Sequence, residues 1–404
     1  MSIFKPADIL LPREVPFEKW AVIACDQFTS EPEYWQQIEE EIGTCPSTLR
    51  LILPEYKLRD DNSEEISKIN ATMLQYLDKN IFQEYPQSYI YVERTLKNGT
   101  IRKGIVGALD LEEYSYEPKA KTSIRATEKT VLERIPPRVQ IRQDAALELP
   151  HILLLYNDPQ DLLIGWMEQH KSDLPLLYDF QLIGNGGRIQ GWLVNGQNQE
   201  QFTALLQNFI CEIKADDKEN MVFAVGDGNH SLATAKTCYD NLKTAGIVDT
   251  PARYALVEIE NIQDEAQQFE PIHRILKNID VSNLLQNLES KYGSADGTPL
   301  TWLSAGKRGT IKLKLCNNML MVKLLQDFLD EYLQSHSGSI DYIHGEAAVE
   351  KLSAEADSLG FLLPSFDKNL LFNSINANGV LPRKTFSMGH AEEKRYYIEA
   401  RRIK

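Results

Sequence analysis

Met221-Val222-Phe223-Ala224-Val225-Gly226-Asp227-Gly228-Asn229-His230-Ser231, continued by Leu232-Ala233-Thr234-Ala235-Lys236-Thr237-Cys238-Tyr239, is the stretch that decides the fold class. It opens apolar and strand-like, turns on two glycines and continues in helical composition. A strand, a turn and a helix start in direct succession mark a mixed α and β chain. Glycines let backbone amides swing toward a ligand, and a new helix presents unpaired N–H groups with positive dipole character. Two readings of the turn stand side by side. In one it holds phosphate, with Asp227 on a magnesium ion or a hydroxyl and His230 donating to a phosphate oxygen or moving a proton. In the other it is a tight turn whose helix is capped by Asn229 or Ser231.

Working outward, Trp20 to Ala24 reads as a short buried strand, and Glu31 to Ile42 as a helix with Ser30 as cap and Pro32 in its first turn. Ser63 to Lys79 keeps helical apolar spacing through Ile66, Ile69, Met73, Leu74 and Leu77, with Ser63 as cap. Asn98-Gly99 between two strand-like runs, 88–95 and 101–109, predicts an antiparallel hairpin. A second hairpin is expected over 181–194 around a glycine turn, which lacks the GxxxxGK phosphate-loop pattern. Ile152 to Tyr156 and Tyr254 to Ile259 read as buried strands, and Ile311 to Leu324 as a hairpin turning at Asn317-Asn318. Short helices and strands fill 341–404, with loops at 367–369 and 376–379. These segments predict three regions: an N-terminal α/β region over 1–120, a phosphate- or nucleotide-binding core over 121–277, and a smaller α+β region over 278–404.

Three further groups carry charge in patterns suited to chemistry. Ser123 to Thr130 leads on to Arg138 and concentrates Arg125, Glu128 and Lys129 in a run that excludes a core strand, leaving a solvated helix or a cleft lining. Within it Glu128 is a candidate general base. Pro271-Ile272-His273-Arg274 reads either as an anion clamp through the planar guanidinium or as a surface turn. Arg383-Lys384 reads as a phosphate contact or a solvated strand edge. Asp341 to Gly345 has no metal-ligand spacing, which speaks against structural zinc.

With 404 residues, 43% of them hydrophobic, the chain is long enough for two or three cores. Its net charge of −15 opposes a general nucleic-acid or anionic-membrane binder. Cys25, Cys45, Cys211, Cys238 and Cys316 are odd in number and without a CxxC pair, as expected of reduced thiols. The first twenty residues lack a secretory pattern, and no window reaches the ~18 apolar residues of a membrane span. A cytoplasmic location is the expectation.

Taken together, Trp20 to Ser30, Arg125 to Thr130, Gly226 to Ser231, Pro271 to Arg274 and Leu381 to Thr385 resemble the domain-of-unknown-function 1015 family of bacteria and archaea, nearly end to end. Many members read DGHHR where this chain has Asp227-Gly228-Asn229-His230-Ser231, and a histidine-glutamate pair where it has Thr127-Glu128. The DGHHR signature is in turn similar to the phosphate-binding turn of the ParB/sulfiredoxin group, which includes kinases of free serine. The resemblance implies a ParB/sulfiredoxin-like core with a mixed sheet. It further implies a nucleotide- and Mg2+-dependent kinase, using ATP or ADP, that acts on free serine or a similar amino acid.

On that model Glu128, Asp227 and His230 are catalytic, and Asp227 is the metal ligand. Gly226, Gly228, Asn229, Ser231, Arg125, His273, Arg274, Arg383 and Lys384 hold nucleotide phosphate, and Asp26 contacts substrate. Replacement of the usual arginine by Ser231 removes one phosphate clamp, which Arg125, Arg138 or Arg383 would replace. It also leaves room for a nucleotide or metabolite sensor that has lost turnover, or for a phosphoserine-type phosphohydrolase, although the aspartate nucleophile followed by DxT is missing. The expected partner in each case is a small molecule, with neither nucleic acid nor membrane.

Overall fold

Alternation along one hairpin sets up the main sheet in the computed structural model, which describes residues 2–216, 221–314 and 318–404. In β1 (Phe82–Thr95), Tyr89 and Tyr91 enter one buried cluster while Ile90 and Val92 enter another. Its partner β2 (Ile101–Asp110) alternates in the same way, with Ile105 and Leu109 on one side and Val106 and Ala108 on the other. A period of two with apolar residues on both faces dictates a sheet covered on both sides.

The covering helices follow from their own apolar stripes. On the Tyr89 side, Leu232, Ala235 and Tyr239 are buried from the helix Asn229–Thr244. On the other side lie Trp35, Ile38 and Ile42 of α1 (Pro32–Ile42). Ile69, Met73 and Tyr76 of α2 (Ser63–Asp78) belong to a neighbouring cluster with Trp20 and Leu147.

Further strands of this sheet are β3 (Ile124–Ala126), β4 (Leu153–Tyr156), β5 (Leu176–Gln181), β6 (Arg188–Val194), β7 (Phe223–Asp227) and β8 (Tyr254–Asn261), while Phe4–Lys5 pairs with β2 and Ala7–Pro12 with β1. Their order is β5-β6-β1-β2-β8-β4-β7-β3, with Tyr114–Ser115 beyond β3. β8 runs parallel to β4, and β7 parallel to β3, while β4 and β7 are antiparallel, so the sheet is mixed. All four residues of β4 are buried, as a strand covered on both faces requires.

Contacts divide the chain into two units, one of residues 1–267, 372–379 and 390–404, the other of 268–371 and 380–389. This division differs from the three expected regions because the main sheet takes β1 and β2 from 1–120 and β3 to β8 from 121–277, so neither segment closes a core alone. In the second unit, Gly293–Ser304, Lys307–Leu313, Ser339–His344 and Leu359–Leu362 form an antiparallel sheet with β9 (Phe269–Lys277). Leu325, Phe328 and Leu329 of the helix Asn318–Ser335 lie in the core of this unit. The fold is thus mixed α and β with a smaller α+β part.

Several local expectations are corrected. The hairpin over 311–324 is a strand ending at Leu313 and a helix starting at Asn318, because the apolar spacing switches from two to helical at Met321, Val322 and Leu325; Asn317 lies outside the described residues. Residues 123–130 were expected to exclude a core strand, yet Ile124–Ala126 is one. Arg125 is tolerated there because its Nε donates to Thr122 O and its guanidinium to Asn376 Oδ1. Pro271 to Arg274 lies within β9 and is no surface turn.

Ser30 and Ser63 are not caps. With Pro32 at the start of α1, Glu31 takes the cap position, and Asn62 precedes α2 with its side chain bonded to the Arg59 backbone. Phe17–Trp20 is a helical turn, leaving only Val22–Ile23 as strand. The 376–379 segment ends the helix Leu371–Asn378, and Lys368–Leu370 is a single tight helical turn.

Candidate functional site

Strand directions bring three chain segments to one end of the main sheet. β3 and β7 run parallel with Ala126 opposite Val225, so Thr127-Glu128 leaves β3 beside Gly226-Asp227, the last residues of β7. β4 enters there from the opposite direction, with Leu153 opposite Asp227, so His151 and Ile152 lie at the same end. Thr127 Oγ1 donates to Val225 O at 2.6 Å and pins the first exit to the second. Helix α3 (Asn229–Thr244) starts directly after β7.

Gly228 makes this turn sterically feasible. Its φ is +79°, and a Cβ there would lie 3.0 Å from Ile152 Cα. It occupies the cap position of α3 without a side-chain cap, so the reading of Asn229 or Ser231 as cap does not hold. Asp227 Oδ1 accepts from Gly228 N at 2.9 Å. The Asn229 Oδ1 atom is buried and has no hydrogen-bond partner among the described residues. A helix start without a side-chain cap and with an unsatisfied acceptor is an unusual thing for a folded chain to keep.

A fourth segment comes from the far end of the sequence. Tyr396–Tyr397 pairs with Val22–Ile23, and Ala24 N donates to Arg395 O at 3.0 Å. This pairing sets Cys25 and Asp26 beside Lys394. Lys394 Nζ lies 3.2 Å from Asp227 Oδ2, with only 11% of its side chain exposed. Burial would raise the Asp26 carboxyl, but His151, the Gln27 amide and Lys394 together hold it below its usual value. The buried Lys394 ammonium thus pairs with Asp227 and adds to the groups that hold Asp26 ionised.

His151 links these groups to the helix. Its Nε2 is bonded to Ser231 Oγ at 2.8 Å and its Nδ1 to Tyr397 OH at 3.0 Å, and that hydroxyl also accepts from Cys25 N. Burial depresses the imidazole below its ordinary value, while Asp26 and Asp227 pull the other way. At neutral pH it is therefore an uncharged relay. The Cys25 thiol is pushed up to about 11 by burial and the Asp26 charge, which makes it a poor nucleophile. His151 is itself placed by Arg395, which donates to Pro150 O at 2.6 Å and pairs with Glu258 and Glu399.

The predicted residues thus separate into groups. Asp26, Asp227 and Ser231 share the His151–Lys394 network, with Gly226, Gly228 and Asn229 forming its backbone turn. His230 Nε2 accepts from Val131 N at 3.2 Å, tying α3 to the loop that carries half-buried Glu128. Arg125 is buried in β3 and holds Thr122 and Asn376. His273, Arg274, Arg383 and Lys384 belong to the second unit. There Leu363 N donates to His273 Nδ1, and Arg274 is buried, bonding Gln326 Oε1 and Ile272 O.

Sequence reasoning missed His151, Lys394 and Tyr397. A lone histidine heading a fully apolar strand, and Lys394-Arg395-Tyr396-Tyr397 close to the C-terminal end, were the available signals. Among the described residues no group of three His, Cys, Asp or Glu side chains is placed to hold a metal ion. Asp227 already carries the Lys394 ammonium, so these residues fit magnesium only as part of a metal–nucleotide complex.

The chain belongs to the family described as "Protein of unknown function (DUF1015)", whose model matches residues 5–402. No curated protein matches it. Among solved structures it is similar to a free serine kinase in complex with AMP, at 10% identity and a TM-score of 0.39, over 74% of this chain and 90% of that one. SbnI with C-terminal truncation from Staphylococcus aureus gives 8% identity and 0.37, over 72% and 82%. A conserved hypothetical protein from Pyrococcus furiosus gives 11% and 0.35, over 72% and 90%. Likenesses this distant carry no functional argument. No described helix is long and apolar enough to cross a membrane.

Proposed function

We propose that the protein is a nucleotide-dependent phosphotransferase acting on the hydroxyl of a small metabolite, with the nucleotide phosphates at the start of α3. The observation that carries this reading is the amino end of a 16-residue helix without a side-chain cap, set beside a buried lysine that pairs with Asp227. First-turn amides and an ammonium in a partly dehydrated setting are the donors a phosphate needs.

In this scheme the amides of α3 and Lys394 hold the phosphates and neutralise charge that develops on the transferred group. His230 fixes the 128–131 loop so that Glu128 accepts the acceptor's hydroxyl proton. Asp227 orients Lys394. A magnesium ion, arriving with ATP or ADP, would supply further neutralisation of phosphate charge. Free serine is the acceptor that the family resemblance suggests. Loss of turnover with retained binding is the second reading, motivated by Asn229 and Ser231 in place of the usual histidine and arginine.

Calorimetric titration with ATP, ADP and AMP, with and without magnesium, followed by phosphorus NMR with a panel of hydroxyl compounds, tests both. Nucleotide binding with a phosphorylated product supports the enzyme, and binding without product supports the sensor. No binding of any nucleotide refutes both.

A further inference from the structure

Strand direction brings a second group of residues to the far end of the main sheet. β4 begins beside the start of α3 and β8 runs parallel to it, so Asp158 after β4 and Asn261 at the end of β8 both lie at the opposite end. A cavity of about 560 Å³ opens there, entirely within the first unit. The carboxylates of Asp158, Asp161, Asp264 and Glu265 line it, and Lys103 beside them is already paired with Glu168. The uncharged polar side chains of the lining are engaged as well: Thr100 with Asn98, Asn261 with Asp158, and Gln263 with Asn157.

Asp158 shows that this charge is not balanced from inside the chain. It is 2% exposed and fixed by Asn261, whose Oδ1 accepts from Asp158 N at 3.2 Å and whose Nδ2 donates to Asp158 O at 2.8 Å. Its Oδ2 accepts from Leu163 N at the start of the helix Leu162–His170, but no cation among the described residues pairs with the carboxylate. A second orphan lies close by. Tyr156 OH is fully buried with no hydrogen-bond partner among the described residues, and the charges of Asp158, Asp161 and Asp264 all act on it. Partial burial and the neighbouring Asp158 and Glu168 charges also push the Asp161 carboxyl above its usual value. A folded chain keeps a buried charge where something pairs with it.

The way the charge is distributed narrows the ligand. Among the described residues no three His, Cys, Asp or Glu side chains converge closely enough to hold a metal ion, so the negative charge is spread along the cavity. Apolar surface from Ile101, Pro159, Ile164 and Ala266 lies among the carboxylates. We infer that this cavity binds a linear aliphatic polyamine, its ammonium groups paired with Asp158, Asp161 and the adjacent Asp264 and Glu265, and its methylenes against the apolar lining. Separate ammonium groups reach separate carboxylates, and the methylene chain between them is removed from water by the apolar wall. A single small cation satisfies one carboxylate and leaves the others. The site goes beyond the phosphotransferase reading and does not rest on it, since it lies at the other end of the sheet from α3.

Spermidine and calcium chloride are the probes, each titrated calorimetrically into the full chain in about 0.15 M salt, where exposed charges are screened beyond about 8 Å. Spermidine should bind one to one, and calcium much more weakly. Asp158→Asn, which keeps an acceptor for Leu163 N, and Asp161→Asn should each weaken spermidine roughly 10-fold, the loss of one charge-assisted bond. Glu289→Gln, an exposed neutralisation in the second unit, should leave spermidine affinity unchanged. No spermidine binding, calcium bound as tightly, or spermidine affinity indifferent to the aspartate variants overturns the assignment. Equal weakening by Glu289→Gln also overturns it, because attraction to the net charge of −15 then accounts for the binding. Should Asp158→Asn fail to fold, Asp161→Asn decides. None of these outcomes depends on nucleotide binding, so failure of this site and failure of the phosphotransferase reading are told apart.

Discussion

Replacing Lys394 by Met should separate the stabilising part of the Lys394–Asp227 pair from its binding part. Unit charges about 4 Å apart interact by about 4 kcal/mol at an effective dielectric near 20, before desolvation is subtracted. Lys394 and Asp227 are 3.2 Å apart with side chains 11% and 23% exposed, so water relieves part of the imbalance once the ammonium is gone. Lys394→Met should therefore cost about 1–3 kcal/mol of stability, below the ~3–5 kcal/mol for a fully buried pair. Nucleotide affinity should fall by roughly 100-fold, which is about 2.7 kcal/mol, within the range of one charge-assisted bond to phosphate. The double variant Lys394→Met with Asp227→Asn removes the stranded carboxylate, so stability should recover while affinity does not. Urea denaturation measures the first quantity and calorimetric titration with ADP the second. A folded Lys394→Met protein that binds ADP as tightly as the original would falsify the placement of phosphate beside this lysine.

Gly228→Ala should lower stability by about 1–3 kcal/mol, the range for strained backbone, since φ is +79° and the new methyl meets Ile152 Cα at 3.0 Å; an unchanged urea midpoint contradicts this. Stability should also depend on the ionisation of His151. Burial depresses its pKa, so its contribution is fully present above the usual ~6.5 and is lost as pH falls through the lower folded value, where the unfolded chain takes up the proton first. Asp26, also lowered, adds a further loss on acidification below the usual ~3.9. His151→Gln should therefore flatten the decline in urea midpoint between pH 7 and 5 relative to the original chain. Parallel declines in the two proteins count against a buried neutral imidazole.

What the sequence disclosed and what it concealed have physical causes visible in particular residues. Met221 to Tyr239 was legible because an apolar run, two glycines and a helical composition each act locally, and the strand and the helix lie either side of Gly228. The hairpin over 88–109 was legible for the same reason, Asn98-Gly99 fixing the turn and alternation fixing the faces. Arg125 misled because charge was weighed without its partners; a guanidinium satisfied by Thr122 O and Asn376 Oδ1 sits in a buried strand. The hairpin expected over 311–324 failed because strand alternation was carried past the point where the spacing becomes helical.

Lys394, His151 and Tyr397 were out of reach for a different reason. Tyr397 OH meets Cys25 N across 372 positions of sequence, and Ser231 meets His151 across 80. Such contacts depend on which strands pair and in which direction, and neither choice leaves a local mark. The consequence for the site is specific. Seen alone, the turn offers anion-binding amides but no buried cation, and Asp227 beside an anion would repel it. The pairing of Tyr396–Tyr397 with Val22–Ile23 supplies the missing ammonium and couples Asp26 to it. A variant that breaks this pairing, such as Tyr397→Pro, would leave the local pattern of the turn intact and remove the charge on which the proposed phosphate site depends.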